Sequence, residues 1–296
     1  DMKIAPLFRE IKVASGATVL PLAPDSGAAT FSTAGVGDSS NQLSDAGDNN
    51  YTVSQVILQA HRLIAGTYIS NDTDEQIVLT VLPIVTSALA RAHAVAIDKA
   101  LLVGSGAGNI SKGLAGDNGA DDGGGYADAV TTAVSAADGA GSINADGTEE
   151  VVPADLLQMR KEMGKYGMDP SRVAYIVPND VYYELIDVSG FTDVSEVGND
   201  LATKLIGQVG SVFGSPVIAT NQLTNNLGNS GTPTTTAAIA VNMDNYVIPR
   251  LRGVNIETEY SVKDQQNVIV ASQSLGFAEL FNGAGSDIPA RRLPFS

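Results

Sequence analysis

At 296 residues, 44% of them hydrophobic, the chain is long enough for two domains of ordinary size around a substantial core, which excludes disorder throughout. Its 33 acidic residues against 17 basic ones leave a formal charge of −16, which disfavours gripping a phosphate backbone and favours solubility. No cysteine is present, so neither a disulfide nor a thiolate metal site can form.

From Lys3 to Leu22, KIAPLFREIKVASGATVLPL mixes β-branched residues with Pro6 and Pro21 and keeps no clean period, which predicts an extended arm with short strands. No basic stretch followed by an apolar one opens the chain at Asp1, so no signal peptide is expected there. Ala23 to Asn50 is rich in Gly, Ser, Asp and Asn, with Phe31, Val36 and Leu43 as its large apolar residues, and Tyr51 to Ser70 reads as strand. Two strands around a polar tip make a long hairpin. It has too few apolar residues for a core of its own, so it is expected to lie on something else, another subunit being the natural support.

Asn71 to Asp74 offers N-cap residues, and apolar residues then recur at helical spacing: Ile77, Leu82, Val85, Leu89, Ala92, Ala96 and Leu101. One helix over about 74–103 would span about 45 Å, with Pro83 bending it or marking a late start. Its most apolar run, Ile77 to Ala90, falls short of the ~20 residues of a membrane span. Directly behind it comes LLVGSGAGNISKGLAG, with Gly104, Gly106 and Gly108 alternating. A phosphate-cradling loop needs its glycines before a helix N-terminus; here they follow the helix, and Lys112 precedes Gly113 rather than Ser or Thr. The stretch is therefore expected to stop the helix through a left-handed glycine.

Gly104 to Glu150 is dominated by loop residues. Beyond it the pattern predicts a helix over Pro153–Met168, a strand over Arg172–Val177 and a helix over Asn179–Asp187 capped by Asn179. GSPVIAT and TAAIAV read as strands, and YVIPRLRGVNIETEY and NVIVASQSLGFAELF as longer ones lying against the distant long helix. The class is α+β with mixed sheets.

Chemistry is hard to find. The two histidines, His61 and His93, have no motif around them, and His93 reads as a packed or surface residue of the helix. SINADGTEEVVP resembles the middle of a calcium loop, but Ser142 and Pro153 stand where acidic ligands are required. Asp121/Asp122 and Glu149/Glu150 lie in glycine-rich loops with nothing nearby to tune a carboxyl. No cofactor, metal or catalytic residue is expected. An acidic secreted hydrolase, the reading from another class, would need acid and base groups in a pocket, and no such constellation is recognisable.

An arm, a hairpin without support and a long helix are assembly devices, and together they resemble the major capsid proteins of tailed bacteriophages, whose shared architecture is the Hong Kong 97 fold. The resemblance is carried by APLFREI, then VILQAHRLIAGTYISND, then ALARAHAVAIDKALLVGSGAGNISKGLAG, which looks like that family's spine helix ending in a glycine-rich loop. SRVAYIVPNDVYYELID, VFGSPVIATNQL and NVIVASQSLGFAELF follow in the order of its axial and peripheral domains.

What the resemblance implies is an arm over 1–22 with Leu7, Phe8 and Arg9, and a hairpin over 23–60. A peripheral domain would comprise 61–115 and 246–282, and an axial domain 116–245 and 283–296. Phe31, Val36, Leu43 and Tyr51 of the hairpin would bury against a neighbouring subunit, and Gly104, Gly106, Gly108 and Lys112 would turn the chain towards the axial domain and touch a neighbour. Partners implied are the chain itself as pentamers and hexamers, a portal, and a decoration or cementing protein, in a virion assembled in a bacterial cytoplasm around DNA that is not specifically bound. Encapsulin-like shells share the fold without a genome. Some members join a hairpin lysine to a neighbour's asparagine, but no lysine occurs between Lys12 and Lys99 here, which leaves Asn267 and Glu279 without that reaction to serve.

Overall fold

The computed structural model describes residues 4–22, 54–70, 81–106, 110–115, 125–129, 151, 153–187, 192–193, 208–223, 236–281 and 287–294. Strands β1 (Arg9–Lys12), β4 (His61–Ser70), β11 (Tyr246–Ser261), β12 (Gln266–Leu275) and β13 (Ala278–Glu279) form one sheet in the order β1-β11-β12-β4, with β13 also on β11. A second sheet runs β5 (Asp128–Ala129), β14 (Ala290–Pro294), β10 (Thr236–Asn242), β6 (Val173–Pro178), β9 (Ser215–Thr220), β8 (Gln208–Val212), β7 (Thr192–Asp193). β2 (Ala17–Leu22) and β3 (Ser54–Gln59) form an antiparallel ribbon that, among the described residues, pairs with no further strand. Both larger sheets are mixed, with parallel pairs at β1·β11, β6·β9 and β5·β14, as the α+β expectation requires.

The long helix α1 (Val81–Val103) lies on the first sheet. Val85 and Leu89 pack on Ile269 and Ala271 of β12 and on Ala65 and Ile69 of β4. About two turns on, Ile97, Leu101 and Leu102 enter a larger core with Ile4 and Phe8 of the arm, Tyr246, Phe277, and Ile176 and Ile239 of the second sheet. Residues 74–80 of the expected helix lie outside the described residues. The buried face also differs from the predicted one: Ala92 is exposed, while the polar His93 and Asp98 are each 3% exposed.

Both polar residues are admitted because their groups are paired. The Gln273 amide approaches His93 Nδ1 at 2.8 Å and His93 Nε2 lies 3.2 Å from the Ala271 carbonyl, which fixes the tautomer with the proton on Nε2. Asp98 Oδ1 accepts the main-chain N–H groups of Ile4 at 3.3 Å and Ala5 at 3.2 Å, tying the arm to the helix.

Two other elements depart from the sequence pattern. The single strand expected over 51–70 is two strands in different sheets: at Ala60 and His61 the alternation of inward and outward residues slips by one, and Ala60 donates to the Gly16 carbonyl at 2.9 Å. Ala17–Leu22, counted with the arm on sequence, is the ribbon's other limb. The helix expected over Pro153–Met168 stops as α2 at Pro153–Glu162, because Gly164 takes φ 57° and a 3-10 turn follows over Gly164–Gly167. The helix over Asn179–Asp187 (α3) forms as expected.

Strand β6 is buried at every position, since one face meets the α1 core and the other meets Leu156, Met159 and Met163 of the α2 region with Val181 and Leu185 of α3. Among the described residues, no helix is long and apolar enough to cross a membrane.

Asp98→Ala is expected to lower stability by about 1.5–3 kcal/mol, the usual worth of hydrogen bonds to a charged acceptor, in urea unfolding. Hydrogen exchange should then speed up at Ile4 and Ala5 while β11 and β12 stay protected.

Candidate functional site

The C-terminal end of α1 points into the protein, so its last carbonyls need partners. The chain supplies them by doubling back. Ser105 and Lys112 form an antiparallel bridge, and Gly113 donates to the Gly104 carbonyl at 2.9 Å. Leu114 and Ala115 then donate to the carbonyls of Leu101 at 2.9 Å and Leu102 at 2.7 Å. Tyr126 and Ala127 add the next layer through the carbonyls of Gly113 and Leu114.

The glycines serve this turn differently from the sequence expectation. Gly104 is not left-handed; its need is space, because a Cβ there would overlap the carbonyl oxygens of Ser111 and Ala100. The left-handed residue is Gly106, at φ 69°.

This loop, the foot of the β2–β3 ribbon and the β12–β13 turn enclose a cavity of about 200 Å³, with Ile57, His61, Lys112, Tyr126, Phe277 and Glu279 among its walls. Its aromatic floor is continuous with the core: Tyr246 stacks on Phe277 with centroids 5.4 Å apart, and Phe8 and Tyr126 pack edgewise or tilted around them. The Tyr246 phenol donates to Glu279 Oε1 at 2.9 Å. Lys112 Nζ rests over the Tyr126 ring, 5.0 Å from its centroid.

Burial pushes the Glu279 carboxyl up to about 7, helped by the charge of Asp128 and opposed by the Tyr246 hydrogen bond and by Lys112. Burial, and then the Glu279 charge, lift the Tyr126 phenol to about 12 and move that of Tyr246 well above its ordinary value. A lone carboxyl of this kind can exchange a proton near neutrality and attract a cation. Among the described residues no nucleophile or general base is hydrogen-bonded to this carboxyl: both ring nitrogens of His93 are engaged in the fold, and His61 stands on the cavity wall. Among the described residues no three His, Asp or Glu side chains come together as a metal site.

Of the residues singled out on sequence, Gly104, Gly106 and Lys112 build the loop beside this cavity. Leu7 packs at the rim of the main core, Phe8 is buried within its own subunit and Arg9 is exposed at the start of β1. Phe31, Val36, Leu43, Tyr51 and Gly108 lie outside the described residues, as do Asp121/Asp122 and Glu149/Glu150. Asn267 is at the far end of β12, opposite Tyr260 and Ile69, and has no part in the Glu279 site.

Two features escaped the sequence reading. One is the set of partners around Glu279, whose only local sign is a single charge in the apolar stretch GFAELF. The other is the cross-strand pair Val19 and Ile57 on the ribbon, both more than half exposed on one face.

The model of the phage capsid family matches residues 4–279. The major capsid protein of Escherichia phage T5 is 28% identical over 287 residues, which are 97% of this chain and 58% of that protein, so the chain spans little more than half the length of this relative. Among solved structures, the capsid of a native GTA particle superposes with a TM-score of 0.64 at 13% identity over 100% of this chain and 90% of that one. That of Microbacterium phage Oxtober96 does so with 0.60 at 12% identity, over 99% and 91%. These likenesses show a capsid fold of the Hong Kong 97 type.

Gly104→Ala is expected to lower the thermal midpoint more than Gly106→Ala: about 3 kcal/mol for a Cβ forced onto two carbonyls, against about 1–2 kcal/mol for a left-handed alanine. Equal midpoints would contradict the different roles given to the two glycines.

Proposed function

The chain belongs to the phage capsid family, and on that premise we propose that it is a major capsid subunit that joins copies of itself as pentamers and hexamers into an icosahedral head around double-stranded DNA. The observation that carries the reading is the β2–β3 ribbon. Among the described residues it pairs with no other strand, and it turns Val19 and Ile57 outward. A two-stranded ribbon is marginal in water, and exposed β-branched pairs on it fit burial against a second copy.

The division of the strands between two sheets supports the proposed domains. Every strand of the first sheet except β1 falls in 61–115 or 246–282, the peripheral domain; β1 reaches it from the arm, 1–22. Every strand of the second falls in 116–245 or 283–296, the axial domain. The hairpin, 23–60, takes its first limb from the end of the arm. Phe31, Val36, Leu43 and Tyr51, with the loop of Gly104, Gly106, Gly108 and Lys112, are proposed as contacts to neighbours. A portal and a decoration or cementing protein are the proposed further partners in the virion, with assembly in the host cytoplasm. The charge of −16 suits a container in which packed DNA slides without being held through its phosphates. The subunit's work is mechanical, and no turnover is proposed for it.

Electron microscopy of the purified protein tests the reading: closed icosahedral shells support it, and dispersed monomers would overturn it. Deleting Ser32 to Asn49 should leave a soluble, folded subunit that fails to close shells, since these residues carry too little apolar area to matter to the core. Boiled in detergent, particles should run as one band near 30.5 kDa, because Ala23 to Gln59 holds no lysine to form an isopeptide bond. A ladder of pentamer- and hexamer-sized species would contradict this.

A further inference from the structure

The cavity at the ribbon's foot gathers charged and titratable groups from five separate pieces of chain. Glu279 comes from β13, Tyr246 from β11, Tyr126 and Asp128 from the segment behind the glycine loop, Lys112 from that loop, and His61 from the start of β4. The carboxyl is fixed on one side only, by the 2.9 Å bond from Tyr246. The Lys112 ammonium, whose charge acts on this carboxyl, rests on the face of the Tyr126 ring, and the two are not among the ion pairs of the described residues. The loop that carries this ammonium turns on a left-handed glycine, Gly106.

We propose that Glu279 and Lys112 form a proton-operated latch between the glycine loop and the β13 strand at the ribbon's foot. With Glu279 neutral, Lys112 stays on the Tyr126 ring and the loop is held by its backbone bonds and by the Ser111 hydroxyl, which accepts the Phe277 N–H at 3.2 Å. With Glu279 ionised, the ammonium leaves the ring for the carboxylate and pins the loop across the cavity.

The driving force is the cost of a bare carboxylate in a partly desolvated pocket, which a cation on a flexible stem can relieve. Burial holds the carboxyl near 7, so the change of state falls close to neutral pH. Asp128 favours the neutral form; Tyr246 and Lys112 favour the ionised one. The phenols of Tyr126 and Tyr246 are shifted upward and stay protonated across this range, so they act as hydrogen-bonding partners and do not titrate.

The folded carboxyl binds its proton more tightly than an ordinary one. Its stabilising contribution is therefore complete below about 4.5 and is lost as pH rises through about 7, the ion pair with Lys112 recovering part of it above. The latch lies beside the loop and ribbon proposed to touch neighbouring subunits, so its effect on assembly rests on that reading. The latch itself is a property of one subunit.

Hydrogen exchange of the full chain at pH 6 and pH 8, corrected for intrinsic rates, tests it in the soluble subunit whether or not shells form. Protection of the amides over 110–115 should rise roughly three- to tenfold between the two pH values, the size of a coupling of half to one pKa unit. Glu279→Gln and Lys112→Met should each abolish the rise, and His61→Gln should keep it. A rise that survives either of the first two substitutions overturns the latch. A rise lost in His61→Gln alone assigns the proton to the imidazole and overturns it as well. Lys112→Met leaves the cavity's hydrogen-bonded carboxyl intact and keeps the test available if Glu279→Gln folds poorly.

Discussion

A helix that ends inside a protein leaves carbonyl groups without partners, and much of this structure follows from meeting that need. The end of α1 is packed among Ile4, Phe8, Tyr246 and Phe277, where water is no ready substitute. The glycine loop therefore folds back at once, Leu114 and Ala115 cover the carbonyls of Leu101 and Leu102, and Tyr126 and Ala127 stack on in turn. That doubling back brings Lys112 and Tyr126 within reach of Glu279. The cavity beside the ribbon is a by-product of closing a helix.

The same core joins elements remote in the chain. The arm is held through Asp98, the late strand β12 through His93, and the second sheet through the inner face of β6. The first two of these attachments use buried polar groups at single points, set among apolar contacts that fix distance but little else. In a subunit that must hold one shape while joined to many copies, such points define how arm, helix and sheet meet. The β2–β3 ribbon stands outside this arrangement, with Leu58 anchoring its foot beside Val13, Val247 and Ala278 and with Val19 and Ile57 exposed on its other face.

Electrostatics divides by scale. Over the whole chain the excess of acidic residues favours solubility and disfavours gripping a phosphate backbone. Within the subunit the few consequential charges are paired or sheltered: Arg250 with Glu10 at 2.7 Å, Asp98 with two amides, and Glu279 with a phenol. Under the proposed function, cohesion between copies would have to come mainly from shape and apolar burial repeated at many equivalent contacts, because a net negative surface opposes association.

The amino-acid sequence by itself determined whatever depends on near neighbours in the chain. The apolar run VAYIVP is a strand because the β-prone Val173, Tyr175, Ile176 and Val177 in an uncharged stretch suit burial on both faces, and the repeat of apolar residues through Leu89 and Leu101 makes a helix whatever it packs on. The acidic balance and the order of segments that resembles a capsid subunit are likewise plain in the letters. Tertiary structure alone decided the rest. Nothing local marks Ala60 as the break between two sheets, because the break follows from which distant strand each half pairs with. Helical period placed Ala92 inward and gave no reason to bury His93, whose partner Gln273 stands 180 residues away. Glu279 carried one weak sign, a charge in an apolar stretch, yet its partners come from β11, the glycine loop and the segment behind it. Periodicity records that a face is buried; it cannot record what lies against that face, and the chemistry of this site is made entirely of such long-range neighbours.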